Sequence, residues 1–248
     1  MAYEGMLAES VTINGHNGDE IEAYYARPLG PGPFPGMVVI HHAPGWDMWT
    51  HEVVRRLASG GYATISPHLY SRMGPGDPDD VAARARAEGG VADDQVMGDV
   101  RGAMTFLRAQ PYASGKVGAI GFCSGGRQLY LAACTIPELD ATIDGWGGGV
   151  IVDDPSQLTD KRPRAPFDFT AGINAPMLGL FGVEDTNPPI EMVDRIEEEL
   201  KRLGKEYEFY RYEGAGHAFM TVDRVQYRWE QANDGWKKVF AFLGKHLS

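Results

Sequence analysis

Short apolar runs rich in β-branched residues alternate along this chain with segments whose apolar residues have helical spacing. Residues 37–40 read Met-Val-Val-Ile, as expected of a strand that is buried on both faces. Similar runs follow at residues 62–65, 116–122, 141–146, 176–181 and 207–212. Residues 189–203 place their apolar side chains on one helical face and stop before Gly204. This alternation predicts an α/β fold with a mostly parallel central sheet and helices on both faces.

The rest of the chain fits around this alternation. Residues 11–26 predict an opening hairpin or strand pair, and Thr50 is a candidate N-cap for a helix that runs through Ser59. Residues 152–174 have no clean period and predict an irregular excursion, whereas residues 224–247 predict a closing helix. No repeat or low-complexity linker interrupts the 248 residues, so we expect a single domain over residues 1–248.

The charge balance argues against large anionic partners. The chain has 34 acidic and 23 basic side chains, for a formal charge of −11. Binding to nucleic acid or to an anionic membrane depends on Lys/Arg clusters, and the densest basic stretch, residues 161–164, predicts only a solvated loop. The N-terminus shows no signal-peptide pattern, and no apolar run reaches the length of a membrane span. We therefore expect a small-molecule partner, no nucleic acid and no membrane.

The two cysteines, Cys123 and Cys134, are eleven residues apart. On one helix their Cα atoms would be about 16 Å apart, whereas a disulfide requires about 4.4–6.8 Å. Both are therefore expected to be free thiols, which is typical of a reducing cytoplasm.

Cys123 lies in the motif GFCSGG, residues 121–126, between an expected strand and an expected helix. A nucleophile at such a turn needs small neighbours on both sides because its backbone is strained. The following helix N-terminus favours an anion, and thus a thiolate. The motif alone also fits a structural cysteine in a glycine-rich turn. Cys134 lies among Leu and Ala and predicts a core thiol.

Two later loops supply the partners that a cysteine nucleophile requires. His217 lies in a glycine-flanked loop after the last expected strand, and Asp185 lies in the turn after the strand at residues 176–181. Loops at the ends of parallel strands converge on one crevice, and the order nucleophile, acid, histidine is that of the α/β-hydrolases. Glu184, next to Asp185, is a competitor for the role of the acid.

These motifs together resemble the dienelactone hydrolase (carboxymethylenebutenolidase-like) family of α/β-hydrolases. The matching stretches are residues 38–45, residues 62–70 (YATISPHLY), residues 118–126, the turn that holds Asp185, and residues 212–219 (YEGAGHAF). They are spread over about residues 10–245, which is nearly the whole chain, and the combination is far more specific than any one motif.

The resemblance implies a hydrolase of small esters or lactones with no cofactor and no metal. Cys123 would be the nucleophile, Asp185 and His217 would complete the triad, and the acyl group would be held as a thioester. The oxyanion hole would consist of the backbone N–H groups of Ser124 and Ala43.

The chain departs from the family pattern at two positions. Family members commonly have a glutamate at the place of His42, so we expect His42 either to face the cysteine pocket or to pack against the following turn. Dienelactone hydrolases hold the substrate carboxylate with arginines, one of them four residues after the catalytic histidine, where this chain has Thr221. Residues that are candidates for lining the substrate pocket are His42, Trp46, Tyr70, Arg84, Arg86 and Trp146.

Three other functions use the same residues. A thioesterase or other acyl-transfer enzyme would employ the same thiolate, and an inert scaffold would bind a ligand without turnover. A redox-sensor cysteine would need a resolving thiol nearby. His41 and His42 point to opposite faces of a strand, which disfavours a shared metal ion. We expect a monomer or a small homo-oligomer.

Overall fold

The computed structural model describes residues 5–248, so part of the N-terminal stretch used above lies outside the described residues. Within that range the chain forms eight β-strands and six α-helices. The strands are β1 (Met6–Asn14), β2 (Glu20–Pro28), β3 (Phe34–Ile40), β4 (Ala63–Pro67), β5 (Ala113–Phe122), β6 (Ala141–Gly145), β7 (Met177–Gly182) and β8 (Tyr207–Tyr212). The helices are α1 (Met48–Ser59), α2 (Pro78–Ala87), α3 (Asp93–Arg108), α4 (Ser124–Thr135), α5 (Ile190–Arg202) and α6 (Trp229–His246).

The chain divides into two compact units, and strand β5 begins in the first and ends in the second. The first unit runs to Ala119 and includes Thr159–Arg162, and the second holds Ile120–Leu158 and Pro163–Ser248. The expected count of one domain stays a prediction.

In the first unit the strand order is β1-β2-β4-β3-β5. Strands β1 and β2 pair antiparallel from Met6 opposite Pro28 to Asn14 opposite Glu20, which confirms the opening strand pair. Strand β2 also pairs antiparallel with β4, whereas β3 and β4 are parallel with Val38 opposite Ile65. Residues 37–40 are completely or almost completely buried, as their apolar run predicts.

In the second unit the strand order is β5-β6-β7-β8. Strands β6 and β7 are parallel with Ile143 opposite Leu178, and β7 and β8 are parallel with Leu180 opposite Tyr210. The α/β fold with a mostly parallel sheet is therefore confirmed. No helix within residues 5–248 has both the length and the apolar character needed to cross a bilayer.

Two expected helix starts are wrong. Helix α1 is capped by Asp47, whose carboxylate accepts a hydrogen bond from the N–H of Thr50, so Thr50 lies inside the helix and is not its N-cap. Helix α6 begins at Trp229 and not near residue 224, because Arg228 is extended (φ −122°) and the N–H groups of Arg224 and Tyr227 close turns. The irregular stretch 152–174 is confirmed, with only short 3₁₀ helices at Pro155–Gln157 and Pro166–Gly172.

The cap on α1 generates a stability prediction. Replacing Asp47 by Ala removes the acceptor for the Thr50 N–H and also the partner of His42 Nε2. We expect the free energy of unfolding to fall by about 1–2 kcal/mol, as for other lost N-caps. Asp47→Asn keeps a side-chain acceptor and should lose less than half of that amount. Denaturant titration measures both values, and equal stability of Asp47→Ala and wild type would contradict the capping role.

Candidate active site

Cys123 occupies a sharp turn between β5 and α4. Its backbone has φ 56° and ψ −121°, a left-handed conformation that is unusual for any residue except glycine. Such a conformation costs about 1–3 kcal/mol and persists only where the surroundings hold it. The Cys123 N–H donates to the carbonyl of Gly145 at 2.9 Å, and the Cys123 carbonyl accepts from Gly126 N–H at 3.0 Å. The turn is therefore held from both neighbouring elements, β6 and α4.

The glycines around Cys123 are required by close approaches. A Cβ atom at Gly121 would collide with the backbone carbonyl of Gly125. At Gly126 it would lie 2.7 Å from the Cα atom of Gly147 and would collide with the carboxylate of Asp144. The strand, the turn and the helix that the GFCSGG motif predicts are thus all present, with the room that a nucleophile at this position needs.

His217 and Asp185 lie side by side. The imidazole Nδ1 is 2.9 Å from Asp185 Oδ2 and 3.2 Å from Oδ1, so Nδ1–H donates to the carboxylate. The Asp185 side chain is 1% exposed, and its Oδ1 also accepts the Asn187 N–H at 2.8 Å. The carboxylate is thus buried, oriented by its own turn and directed at the imidazole.

The electrostatics favour the charged imidazole. Burial disfavours the imidazolium and by itself lowers the pKa of His217. The side-chain hydrogen bonds to Asp185 and to Cys123, together with the charges of both groups, outweigh burial and raise this pKa from 6.5 to about 10. His217 therefore interacts with Asp185 through Nδ1 and is also influenced by Cys123.

The competing carboxylate, Glu184, is exposed, whereas Asp185 is buried. The two residues share a turn in which the Glu184 N–H donates to Ala215 O and the Asp185 N–H approaches Gly182 O. Of the two side chains, the one that reaches His217 is that of Asp185.

The sequence reasoning overlooked Asp144. This residue lies near the end of β6, is 1% exposed, and accepts a hydrogen bond from the Gly147 N–H at 2.9 Å. Burial raises the pKa of its carboxyl to about 7, against the opposing effect of the Gly147 hydrogen bond. The signal was present as an acid inside the otherwise uncharged strand 141–146.

Trp146, a candidate pocket residue, is 1% exposed and is packed in the core of the second unit. Its ring lies 5.0 Å from that of Phe122, 5.1 Å from that of Phe219 and 6.4 Å from that of His217, measured between centroids. Thr221 is also buried, at 1% exposure, and its hydroxyl has no hydrogen-bond partner among residues 5–248.

The candidate residues of the first unit surround the turn after β3. His41 is fully buried, and burial lowers its pKa to about 3, so the neutral ring donates from Nδ1 to His42 O and accepts the Leu69 N–H at Nε2. His42 Nε2–H donates to Asp47 Oδ2 at 2.7 Å. Tyr70 donates its hydroxyl to the carbonyl of Ala43 at 3.2 Å.

Trp46 lies in the turn between β3 and α1, whereas Arg84 and Arg86 lie on α2. Trp46 donates its indole N–H to Ser66 O at 3.2 Å and stacks on His68 with ring centroids 4.6 Å apart. Arg84 donates to the carbonyls of residues 73, 74 and 75, so its guanidinium holds a loop in place. Arg86 is exposed on α2.

Comparison with known proteins gives consistent matches. The family model of the dienelactone hydrolase family matches residues 21–247. A protein of Methylorubrum extorquens named "Putative carboxymethylenebutenolidase" is 35% identical over 243 residues, which cover 95% of this chain and 80% of the relative. A Bradyrhizobium protein named "Probable 2-oxo-3-(5-oxofuran-2-ylidene)propanoate lactonase" is 30% identical over 250 residues, covering 100% of this chain and 98% of the relative.

Among solved structures, the crystal structure titled "Putative Dienelactone Hydrolase" from Klebsiella pneumoniae is similar over 98% of this chain and 100% of that one. The TM-score is 0.88 and the sequence identity is 29%.

The contact between His217 and Asp185 generates a pH prediction. Because the hydrogen bond to Asp185 is the largest effect that raises the pKa of His217, Asp185→Asn should lower this pKa from about 10 toward or below its ordinary value of 6.5. The measurement is an NMR titration of protein labelled in its histidines. Glu184→Gln is the matched control and should leave the titration unchanged. A shift caused by Glu184→Gln and not by Asp185→Asn would assign the acid to Glu184.

The same contact predicts how stability depends on pH. The folded protein holds the His217 proton up to about pH 10, whereas an unfolded chain releases it near pH 6.5. This stabilisation is therefore complete below pH 6.5 and is lost as the pH rises through 10. We expect the free energy of unfolding to fall over this range in wild type and to fall less steeply in Asp185→Asn.

Proposed function

Because this chain belongs to the dienelactone hydrolase family, we propose that it hydrolyses small carboxylic esters or lactones through Cys123, Asp185 and His217. The hydrolase class follows from family membership and agrees with the sequence expectation. The cysteine nucleophile and the thioester intermediate are our proposal. The observations that carry them are the hydrogen bond between Asp185 and His217, the effect of Cys123 on the pKa of His217, and the position of Cys123 at a strained strand-to-helix turn.

The proposed reaction has two stages. The Cys123 thiolate attacks the carbonyl carbon, the ester C–O bond breaks, and the leaving alkoxide takes a proton from the His217 imidazolium. Neutral His217 then accepts a proton from a water molecule, which attacks the thioester. Collapse expels the thiolate, releases the carboxylic acid and restores the ion pair. With a lactone, the alcohol and the acid remain one molecule.

The negative charge on the carbonyl oxygen must be stabilised in both stages. Ser124 is the first residue of α4, where backbone N–H groups have no acceptor within the helix. We propose its N–H as one donor of the oxyanion hole.

The substrate class is narrowed by two residues. Thr221 carries no charge where dienelactone hydrolases have an arginine, and Arg84 is engaged by loop carbonyls. We therefore propose uncharged esters or lactones in preference to substrates that need a carboxylate clamp, unlike the propanoate that the name of the Bradyrhizobium relative describes. The two free thiols agree with a cytoplasmic location, which is part of the proposal.

The two cysteines provide a matched test of the nucleophile. Cys123→Ala should abolish turnover of p-nitrophenyl acetate, whereas Cys134→Ala should keep most of it. Cys134 is buried in the core, and burial raises the pKa of its thiol to about 12, so it supplies no thiolate at neutral pH. Initial rates of both variants, with circular dichroism to confirm folding, make the comparison. Equal losses in two folded variants would reject Cys123.

The thioester gives a second, chemical test. Wild type mixed with excess p-nitrophenyl acetate should release a burst of chromophore equal to the enzyme concentration, because we expect hydrolysis of the thioester to be slower than its formation. Mass spectrometry of the quenched protein should find the acetyl group on Cys123 and its removal by neutral hydroxylamine. An acetyl group on the neighbouring Ser124 would exclude the cysteine mechanism. Transfer to an added alcohol faster than to water would favour the acyl-transfer alternative.

A further inference from the structure

One buried carboxyl group holds a strained turn that contacts both the nucleophile and the base. Asp144 accepts the N–H of Gly147 at 2.9 Å and so closes the turn of residues 144–147 after β6. Inside this turn Trp146 has φ 45°, a left-handed conformation that tryptophan rarely adopts. The donor to the Asp144 carboxyl is thus a backbone N–H of the same turn. A tryptophan in this conformation needs a closed turn to hold it.

The backbone of the turn contacts the nucleophile. The carbonyl of Gly145 accepts the N–H of Cys123 at 2.9 Å, which fixes the amide at the centre of the elbow. Gly147 also packs against the first turn of α4, because a Cβ atom there would lie 2.6 Å from the carbonyl carbon of Gly126. A displaced turn at residues 144–147 would therefore displace the backbone of Cys123.

The side chain inside the turn contacts the base. The Trp146 ring meets His217 edge to face with centroids 6.4 Å apart, and it meets Phe219, two residues further on, at 5.1 Å. The loop that carries His217 thus rests on a ring whose direction is set by the backbone angle of Trp146.

We propose that Asp144 is a positioning residue that sets the relative placement of Cys123 and His217 through the turn of residues 144–147. The proposal rests on the proposed function, since it assigns meaning to that placement. It adds a residue that does not touch the substrate and acts through Gly145 and Trp146.

The chemistry of the carboxyl suits this role. Burial raises its pKa to about 7, so its neutral form is well populated at neutral pH, and the acceptor Oδ1 is all that the turn uses. Asparagine has the same shape and the same acceptor. Serine offers a shorter and weaker acceptor, and alanine offers none.

The experiment compares Asp144→Asn, Asp144→Ser and Asp144→Ala. Two rates are measured well below the melting temperature, in a Cys134→Ala background: turnover of p-nitrophenyl acetate and alkylation of Cys123 by iodoacetamide. We expect Asn to stay within about threefold of wild type and Ala to lose roughly 10- to 100-fold in kcat with KM little changed, because small misplacements of reacting groups cost up to about 100-fold. Serine should fall between them.

The matched control is Asp154→Ala. Asp154 also accepts a backbone N–H from its own turn, but the donor is Ser156, two residues ahead at 2.9 Å, and the turn is exposed. Its removal should change neither rate. If Asp144→Ala does not fold, the difference between Asn and Ser carries the test. The proposal is overturned if Ala, or else Ser, keeps the wild-type kcat and alkylation rate and only melts earlier.

Failure of the proposed function would look different. Cys123→Ala would then keep its turnover, and wild type would show no thioester. The alkylation rate does not require catalysis, so the Asp144 series would still report whether the turn holds the sulfur in place. Slow alkylation in Asp144→Ala with an inactive wild type would support the positioning role and reject the esterase.

Discussion

The backbone of Cys123 is the constraint on which the site depends. A left-handed residue other than glycine opposes folding by about 1–3 kcal/mol, so the neighbouring elements must stabilise it. They do so by close contact of backbones: Gly121 lies against Gly125, Gly126 lies against Gly147, and Gly145 accepts the Cys123 N–H. A Cβ atom at Gly121 or at Gly126 would collide with the backbone that faces it. The glycines therefore make the elbow possible, and the elbow places Cys123 directly before the N-terminus of α4.

The site also requires a pair of opposite charges, Asp185 and His217, that is stable although the carboxylate is buried. An isolated buried carboxylate is expensive, and pairing with an opposite charge together with hydrogen bonds reduces that cost. Asp185 is buried and has both, from His217 and from the Asn187 N–H. Because this pairing raises the pKa of His217, the imidazole holds its proton well above neutral pH. A resting imidazolium can protonate a leaving alkoxide at once, and it becomes a base only after it has done so.

Much of this arrangement was predictable from sequence because it depends on local patterns. The apolar runs at residues 37–40 and 176–181 correspond to the buried parts of β3 and β7, and the glycines around Cys123 predicted the turn. The chain order of Asp185 and His217 predicted their contact, because each residue follows a strand of one sheet.

What could not be predicted depends on contacts between distant segments. Asp47 and Thr50 are both good caps, and only the backbone angles show that Asp47 is outside the helix. Arg84 carries a charge suited to a substrate, yet its donors are taken by the loop at residues 73–75. The role of Asp144 depends on a turn closed around Trp146, which no periodicity reveals.

His42 stands where family members commonly have a glutamate, and in the first unit it is paired with a carboxylate, that of Asp47. His42 is hydrogen-bonded to Asp47, so this turn still holds a carboxylate, which is at position 47 and not at position 42. Burial would raise the pKa of Asp47, but the hydrogen bonds from His42 and Thr50 lower it, which keeps the group charged. A glutamate at position 42 would point a second negative charge at Asp47 in place of a donor, and two such carboxylates cannot both ionise cheaply. His42 and Asp47 are thus a coupled pair, and the same carboxylate holds both the imidazole and the N-terminus of α1.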